Sequence, residues 1–149
     1  MTRLTICIPT RNRQRYAMDA ARHMLASKRD DFEVLIADNS DDAAPLAVFV
    51  AEQNDNRLRL LPPEDKPLAM QDNWNRMPDQ ARGEWISIIG DDDYLDPDLC
   101  EVLRLTTQRV PNADALTWGR SYFVWPEARS HREITRIPTG SHLRHMEKK

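Results

Sequence analysis

The feature that most narrows the fold of this 149-residue chain is an alternation: short β-rich apolar runs recur, and each is followed by apolar residues at helical spacing. Residues 4–8 (LTICI) are stopped by Pro9, and Ala17, Ala20, Ala21, Met24 and Leu25 then return as one face of a helix. Residues 34–37 (VLIA) run into a polar block from Asp38 to Asp42, after which Pro45 opens a helix expected to turn Ala47, Val50 and Ala51 inward. Residues 58–61 (LRLL) read as a third strand, Pro62 and Pro63 as a turn, and Met70, Trp74 and Met77 as a third helical stripe that Pro78 ends. Residues 85–89 (WISII) form the strongest strand and lead directly into Gly90, Asp91, Asp92 and Asp93. Asp96 and Pro97 then cap a helix carrying Leu99, Val102 and Leu103, and two further strand-like runs follow at 115–118 and 122–125.

Strands alternating with helices require crossover connections, so the class is α/β: a doubly wound, mostly parallel, Rossmann-like sheet with helices on both faces. A mass of 17.3 kDa suits one core, placed at residues 1–127, with 128–149 a polar, basic, irregular tail. The formal net charge is −3, and the basic excess sits in that tail, where Arg129, Arg132, Arg136, Arg144, Lys148 and Lys149 face only Glu133 and Glu147. Such a balance gives no electrostatic reason to expect nucleic acid as a partner. Cys7 and Cys100 stand far apart in apolar surroundings and read as buried thiols of a reducing compartment. The opening apolar run is shorter than the roughly 7–15 residues of a signal-peptide core, and no stretch reaches a membrane span. The expected location is cytoplasmic, with the basic tail leaving room for a peripheral position on the inner face of a membrane.

In sheets of this kind ligands bind where strands end at their carboxyl side. Three polar clusters lie at such ends: Thr10 to Arg13, Asp38 to Asp42, and Asp91 to Asp93. Three consecutive aspartates repel one another, and a divalent cation is the simplest offset; hard oxygen ligands select Mg²⁺ or Mn²⁺, with phosphate oxygens completing the shell. A solvated turn at a helix start is the alternative for the same residues. Asp38 suits a base N–H or a ribose hydroxyl, or else an Asx-turn, while Asp41 and Asp42 suit capping. Arg11 and Arg13 each present a planar fork to phosphate, with Arg11 favoured and Arg13 read as surface. Gly83, Gly90, Gly119 and Gly140 are the only glycines, so no glycine-rich phosphate loop exists, and neither GxSxG nor HExxH occurs. His131, His142 and His145 read as solvated chain, and Trp74, Trp85, Trp118 and Trp125 as core and rim packing. A metal-dependent phosphatase or receiver-like domain would also use an acidic cluster, but those folds place an Asp at the end of the first strand, where Pro9 and Thr10 stand.

Taken in order, ICIPTRNR at 6–13, VLIADNSD at 34–41, Asn73-Trp74-Asn75, GEWI at 83–86 and GDDDYLDP at 90–97 resemble the nucleotide-binding half of a family 2 glycosyltransferase with the GT-A fold, over roughly residues 3 to 125. The resemblance implies transfer from a nucleotide diphosphate sugar, a UDP-sugar first among them, assisted by Mn²⁺ or Mg²⁺ and usually with inversion. By motif match Pro9, Thr10 and Arg11 would line the nucleotide pocket, Asp38 would contact the base, and Asp91 the ribose. Asp92 is favoured as metal ligand in the DXD region, with Asp91 and Asp93 as alternates because Gly90 stands where the family carries an acid. Asp93 would also lie near the donor sugar, as would the helix asparagine, Asn73 or Asn75. The family's general base lies well beyond the DXD region; Glu127 and Glu133 sit in no recognisable motif, so the base is unassigned. The chain reads as a donor-binding half, completed by a homodimer or by further C-terminal chain, or acting as a non-catalytic nucleotide-sugar and metal-binding module. The acceptor, whether glycan, lipid or protein, is not expressed as a local motif.

Overall fold

The structure is a computed structural model that describes residues 3–93, 95–96 and 98–117. The chain forms two compact units, Met1–Val102 and Leu103–Lys149. The first holds strands β1 (Leu4–Thr10), β2 (Phe32–Asp38), β3 (Leu58–Leu60) and β4 (Trp85–Ile88), helices α1 (Gln14–Leu25), α2 (Ala44–Gln53) and α3 (Met70–Asn75), and a 3-10 turn at Pro78–Gln80. Helix α4 (Leu99–Arg109) starts at the end of this unit and supplies the opening of the second. The strands lie in the order β3-β2-β1-β4 and every pairing is parallel. This is the α/β, Rossmann-like sheet that the alternation of strands and helices demands.

The two central strands are buried along their whole length, which is why they read as near-continuous apolar runs. Leu4 pairs with Phe32 and Thr10 with Asp38, so Leu4, Ile6, Ile8, Phe32, Val34 and Ile36 share one face, and Cys7, Leu35 and Ala37 share the other. Helix α1 packs on the first face through Ala17, Ala20, Ala21 and Met24, all fully buried. On the opposite face Cys7, Leu35, Ala37, Leu61 and Met77 form one cluster, so the chain after α3 covers that side. Helices on both faces follow. Burial at this cluster pushes the Cys7 thiol up to about 12, with Glu33 adding to the shift, so it behaves as an inert core residue.

The amino-terminal end of the sheet is tied by two arginines. Arg57 donates to the carbonyls of Leu25 (2.8 Å), Ser27 (2.7 Å) and Arg29 (2.6 Å), grips both oxygens of Asp55, and stacks over the Phe32 ring at 5.1 Å. It thereby satisfies carbonyls left over at the end of α1 and in the loop after it. Glu33 is 3% exposed, yet both its oxygens are used: Oε1 accepts from Thr5 Oγ1 and Arg82 N, Oε2 from Arg59. Gly83 is required here by close approach, since a Cβ would meet Thr5 N at 2.5 Å and the Leu4 carbonyl carbon at 2.7 Å.

Several expectations are corrected. Helix α2 buries Leu46 and Phe49, whereas Ala47 and Ala51 are exposed and Val50 is half-buried. The larger side chains take the inward face, and Phe49 also lies under Arg22, 4.8 Å from its ring centre. On α1, Leu25 is half-buried at the helix end. Helix α3 stops at Asn75 and turns Asn73 inward; Met70 is 69% exposed and Trp74 37%. Strand β4 is one of the two edge strands among the described residues, with Ile86 and Ile88 exposed, because only β1 pairs with it there. Residues 115–117 form no strand, and Ala115 and Thr117 are exposed. Trp118, the run at 122–125, and the expected tail from 128 with its histidines lie outside the described residues. No helix among the described residues is long and apolar enough to cross a membrane.

Candidate functional site

The loops leaving β1, β2 and β4 meet at the carboxyl edge of the sheet. Thr10 Oγ1, at the last position of β1, donates to Asp91 Oδ2 at 2.8 Å, across 81 residues of sequence. Arg13 Nη2 reaches Asp91 Oδ1 at 3.0 Å and Asp92 Oδ2 at 2.5 Å, and its guanidinium lies 5.1 Å from the Tyr16 ring centre. The loops after β1 and β2 are locked together by Asn12, whose backbone N donates to Ser40 Oγ, whose Nδ2 donates to Asp41 Oδ2, and whose Oδ1 accepts from Asp41 N. Asn12 holds φ at 55°, a left-handed conformation that asparagine tolerates.

Electrostatics distinguish the aspartates. Asp91 is 7% exposed, and its burial raises its pKa above the ordinary 3.8; the Thr10 hydrogen bond and Arg13 pull it back, and Asp92 pushes it up again. The hydrogen bond to Asp92 holds Arg13 more firmly protonated. Asp92 is half-exposed, and the turn carries the Asp93 N to Gly90 O bond at 3.1 Å. A side chain at Gly90 would meet both Asp92 Oδ1 and Asp93 Oδ2 at 3.1 Å, so the glycine leaves these carboxylates room.

These groups border an open cleft of about 390 Å³. Of the residues singled out from sequence, Pro9, Thr10, Arg11, Asn73, Asp91 and Asp92 line it; Arg13, Asn39, Met70, Trp74 and Gly90 complete the wall. Asn73 is buried and committed to its surroundings: Nδ2 donates to the Ala37 carbonyl at 3.0 Å and Oδ1 accepts from Arg76. Asp38 borders a neighbouring recess of about 100 Å³, with Lys66 and Glu64 opposite. Its Oδ1 accepts from Ser40 N at 3.0 Å, the expected Asx-turn, while its buried Oδ2 has no partner. Asn39 separates cleft from recess and clasps the Leu68 backbone through both its amide atoms. The capping expected of Asp41 and Asp42 is corrected: the N-cap of α2 is Ala43, with no side-chain cap, while Asp42 Oδ1 accepts from Ala44 N in an Asx-type contact and Asp41 bonds Asn12.

The donor set fits a hard divalent cation in part. Asp91 Oδ1 and Asp92 Oδ2 converge on a single point, now taken by Arg13 Nη2, and two carboxylates with open space beside them match ions that draw their remaining ligands from phosphate and water. No group of three or more ligating side chains occurs among the described residues, so the protein would not complete the shell alone.

Sequence reasoning missed Arg13, Asn39, Met70 and Trp74. Arg13 reads as a surface residue because its partners lie far along the chain. The one available signal was its place three residues beyond β1, at the edge where acids gather.

The profile of glycosyl transferase family 2 matches residues 5–147. The glycosyltransferase GlyG of Streptococcus pneumoniae serotype 4 is 27% identical over 126 residues, 84% of this chain and 40% of that protein. The GalNAc(5)-diNAcBac-PP-undecaprenol beta-1,3-glucosyltransferase of Campylobacter jejuni is 29% identical over 96 residues, 64% of this chain and 31% of that protein. The chain therefore spans less than half the length of these relatives. S. aureus TarS 1-349 shares the fold with a TM-score of 0.60 at 20% identity, over 72% of this chain and 33% of that one. Its complex with UDP-GlcNAc matches with a TM-score of 0.60 at 18% identity, over 72% of this chain and 32% of that one. The motif order, the parallel sheet with its acidic carboxyl edge, and a family match across nearly the whole sequence agree: the chain belongs to glycosyl transferase family 2.

Proposed function

We propose that this chain binds a nucleotide diphosphate sugar, a UDP-sugar foremost, together with Mg²⁺ or Mn²⁺, and supplies the donor side of a glycosyl transfer. The observation that carries the reading is the meeting of Asp91, Asp92 and Arg13 on one open cleft at the carboxyl edge of a parallel sheet. The structural neighbour described in complex with UDP-GlcNAc and with UDP supports the ligand class. In this reading Asp92 holds the cation, with Asp91 and Asp93 as alternates. The cation supplies charge stabilisation to the leaving diphosphate. Asp38 offers its unpartnered Oδ2 to a donor on the base, Asp91 faces the ribose, and Pro9, Thr10 and Arg11 form the floor and rim. Asn73 acts through the backbone, holding the Ala37 carbonyl and the β2 end in place. Trp74 and Met70 add exposed apolar surface for the ligand to cover.

Calorimetric titration of the chain with UDP and with GDP, each with and without Mn²⁺, tests this. Binding that requires Mn²⁺ and disappears in Asp92→Ala, a half-exposed position whose loss should leave the fold intact, is the expected result. No binding of either nucleotide under any condition overturns it. A binding module without transfer needs only this donor side, and transfer to an acceptor, followed by release of UDP, separates the two.

A further inference from the structure

Arg13 stands where a cation shared by Asp91 and Asp92 would have to go. Its Nη2 lies 3.0 Å from Asp91 Oδ1 and 2.5 Å from Asp92 Oδ2, whereas Mg²⁺ binds such oxygens at roughly 2.1 Å. One position between these oxygens cannot hold both a guanidinium nitrogen and a metal ion, and the two carry the same sign of charge. Three observations make Arg13 the movable party. Its side chain is 47% exposed, whereas that of Asp91 is 9% exposed and fixed by Thr10. The main chain beneath it is pinned by the Asn12 clasp to Ser40 and Asp41, which confines any change to the side chain. Arg13 also lines the open cleft and rests near Tyr16, so it can leave the carboxylates without crossing protein.

We propose that Arg13 is a displaceable counter-ion: it neutralises Asp91 and Asp92 before a divalent cation arrives, is expelled by that cation, and then pairs with the diphosphate in the same cleft. The inference rests on the donor-site reading above. It explains how a buried carboxylate is held without metal, since Asp91 would otherwise be a poorly compensated charge. It also predicts coupling. A cation arriving alone must give up the energy of the Arg13 pairs, while a cation arriving with a diphosphate leaves the guanidinium a new bidentate partner. Nucleotide and metal should therefore each strengthen the binding of the other by the same factor.

The test uses the full chain as wild type, Arg13→Gln and Arg13→Lys. Mn²⁺ binding is read from the electron paramagnetic resonance of the free ion, without and with UDP. Arg13→Gln should bind Mn²⁺ alone about tenfold more tightly, as expected for removing a charge-assisted competitor, and should bind UDP at saturating Mn²⁺ several-fold more weakly. Arg13→Lys should fall between the two. A second measurement needs no variant to fold well: in the wild type, the Arg13 Nε–Hε resonance should shift during a Mg²⁺ titration. If Mn²⁺ and UDP bind the wild type but Arg13→Gln binds Mn²⁺ no more tightly, or the resonance stays still, the counter-ion role is overturned and the donor site stands. If neither Mn²⁺ nor UDP binds any of the three proteins, both readings fall.

Discussion

The two ends of the parallel sheet are built on opposite terms. At the amino-terminal end Glu33 is buried with both oxygens partnered, and Arg57 spends its guanidinium on three carbonyls and a carboxylate. At the carboxyl end Asp38 buries an oxygen with no partner, Asp91 is desolvated, and its cationic partner is half in solvent. The amino end has its own exception in the buried Trp85 Nε1, which lacks an acceptor. Side-chain networks that are closed stabilise; those left open are poised for a ligand. One sheet can carry both because parallel strands send all their outgoing loops to the same edge.

That contrast can be broken most forcefully at Arg57. Replacing it with alanine strands the carbonyls of Leu25, Ser27 and Arg29 and frees Asp55, and should cost about 3 kcal/mol of stability in urea unfolding. Gly83→Ala, which drives a methyl into the Thr5 and Leu4 backbone, should cost about 2 kcal/mol in the same measurement. At the other end, Asp91→Asn should weaken Mn²⁺-dependent UDP binding about tenfold, or roughly 1.4 kcal/mol, with little change in the urea midpoint. A loss of stability there as large as at Arg57 would erase the distinction.

Acid should sharpen it. Hydrogen bonds from Arg29 and Arg57 lower the pKa values of Asp31 and Asp55, so the stability these groups add is complete above their ordinary 3.8 and is lost as pH falls through the lowered folded values. Asp91 is raised, chiefly by burial, so its contribution has the opposite sign: it favours folding at low pH and is lost as pH rises through the raised value. Between pH 7 and 3, stability should therefore fall less steeply in Asp55→Asn than in the wild type, and more steeply in Asp91→Asn. Each difference should be under about 1 kcal/mol, the scale of partly exposed pairs. Parallel curves for all three proteins would contradict the assignment.

Legibility followed the range of the signal. Strands β1 and β2 are near-continuous apolar runs, interrupted by Thr5 and Glu33 and closed by Pro9-Thr10 and by Asp38, and the α1 stripe is a mix of small apolar and polar residues whose period is plain. Helix α2 is apolar almost all round from Leu46 to Ala51, so its inward face could not be told by period, and side-chain size decided it. In α3 the buried position belongs to Asn73, which bonds the Ala37 carbonyl, and not to the expected Trp74, and a partner on a distant strand leaves no mark in the helical period. The acidic edge was legible as a cluster, but its counter-charge was not.

The sequence by itself determined the class, the order of the four strands and the helices between them, and the edge on which the polar residues gather, since periodicity and the Pro, Gly and Asp stops act within a few residues of one another. Only the tertiary structure decided that Arg13 faces Asp91 and Asp92, that Arg57 collects the carbonyls after α1, and that Asp38 keeps one oxygen free. Those pairings depend on how crossover connections return each strand beside β1 and β2, and a local pattern carries no record of which distant side chain will arrive opposite.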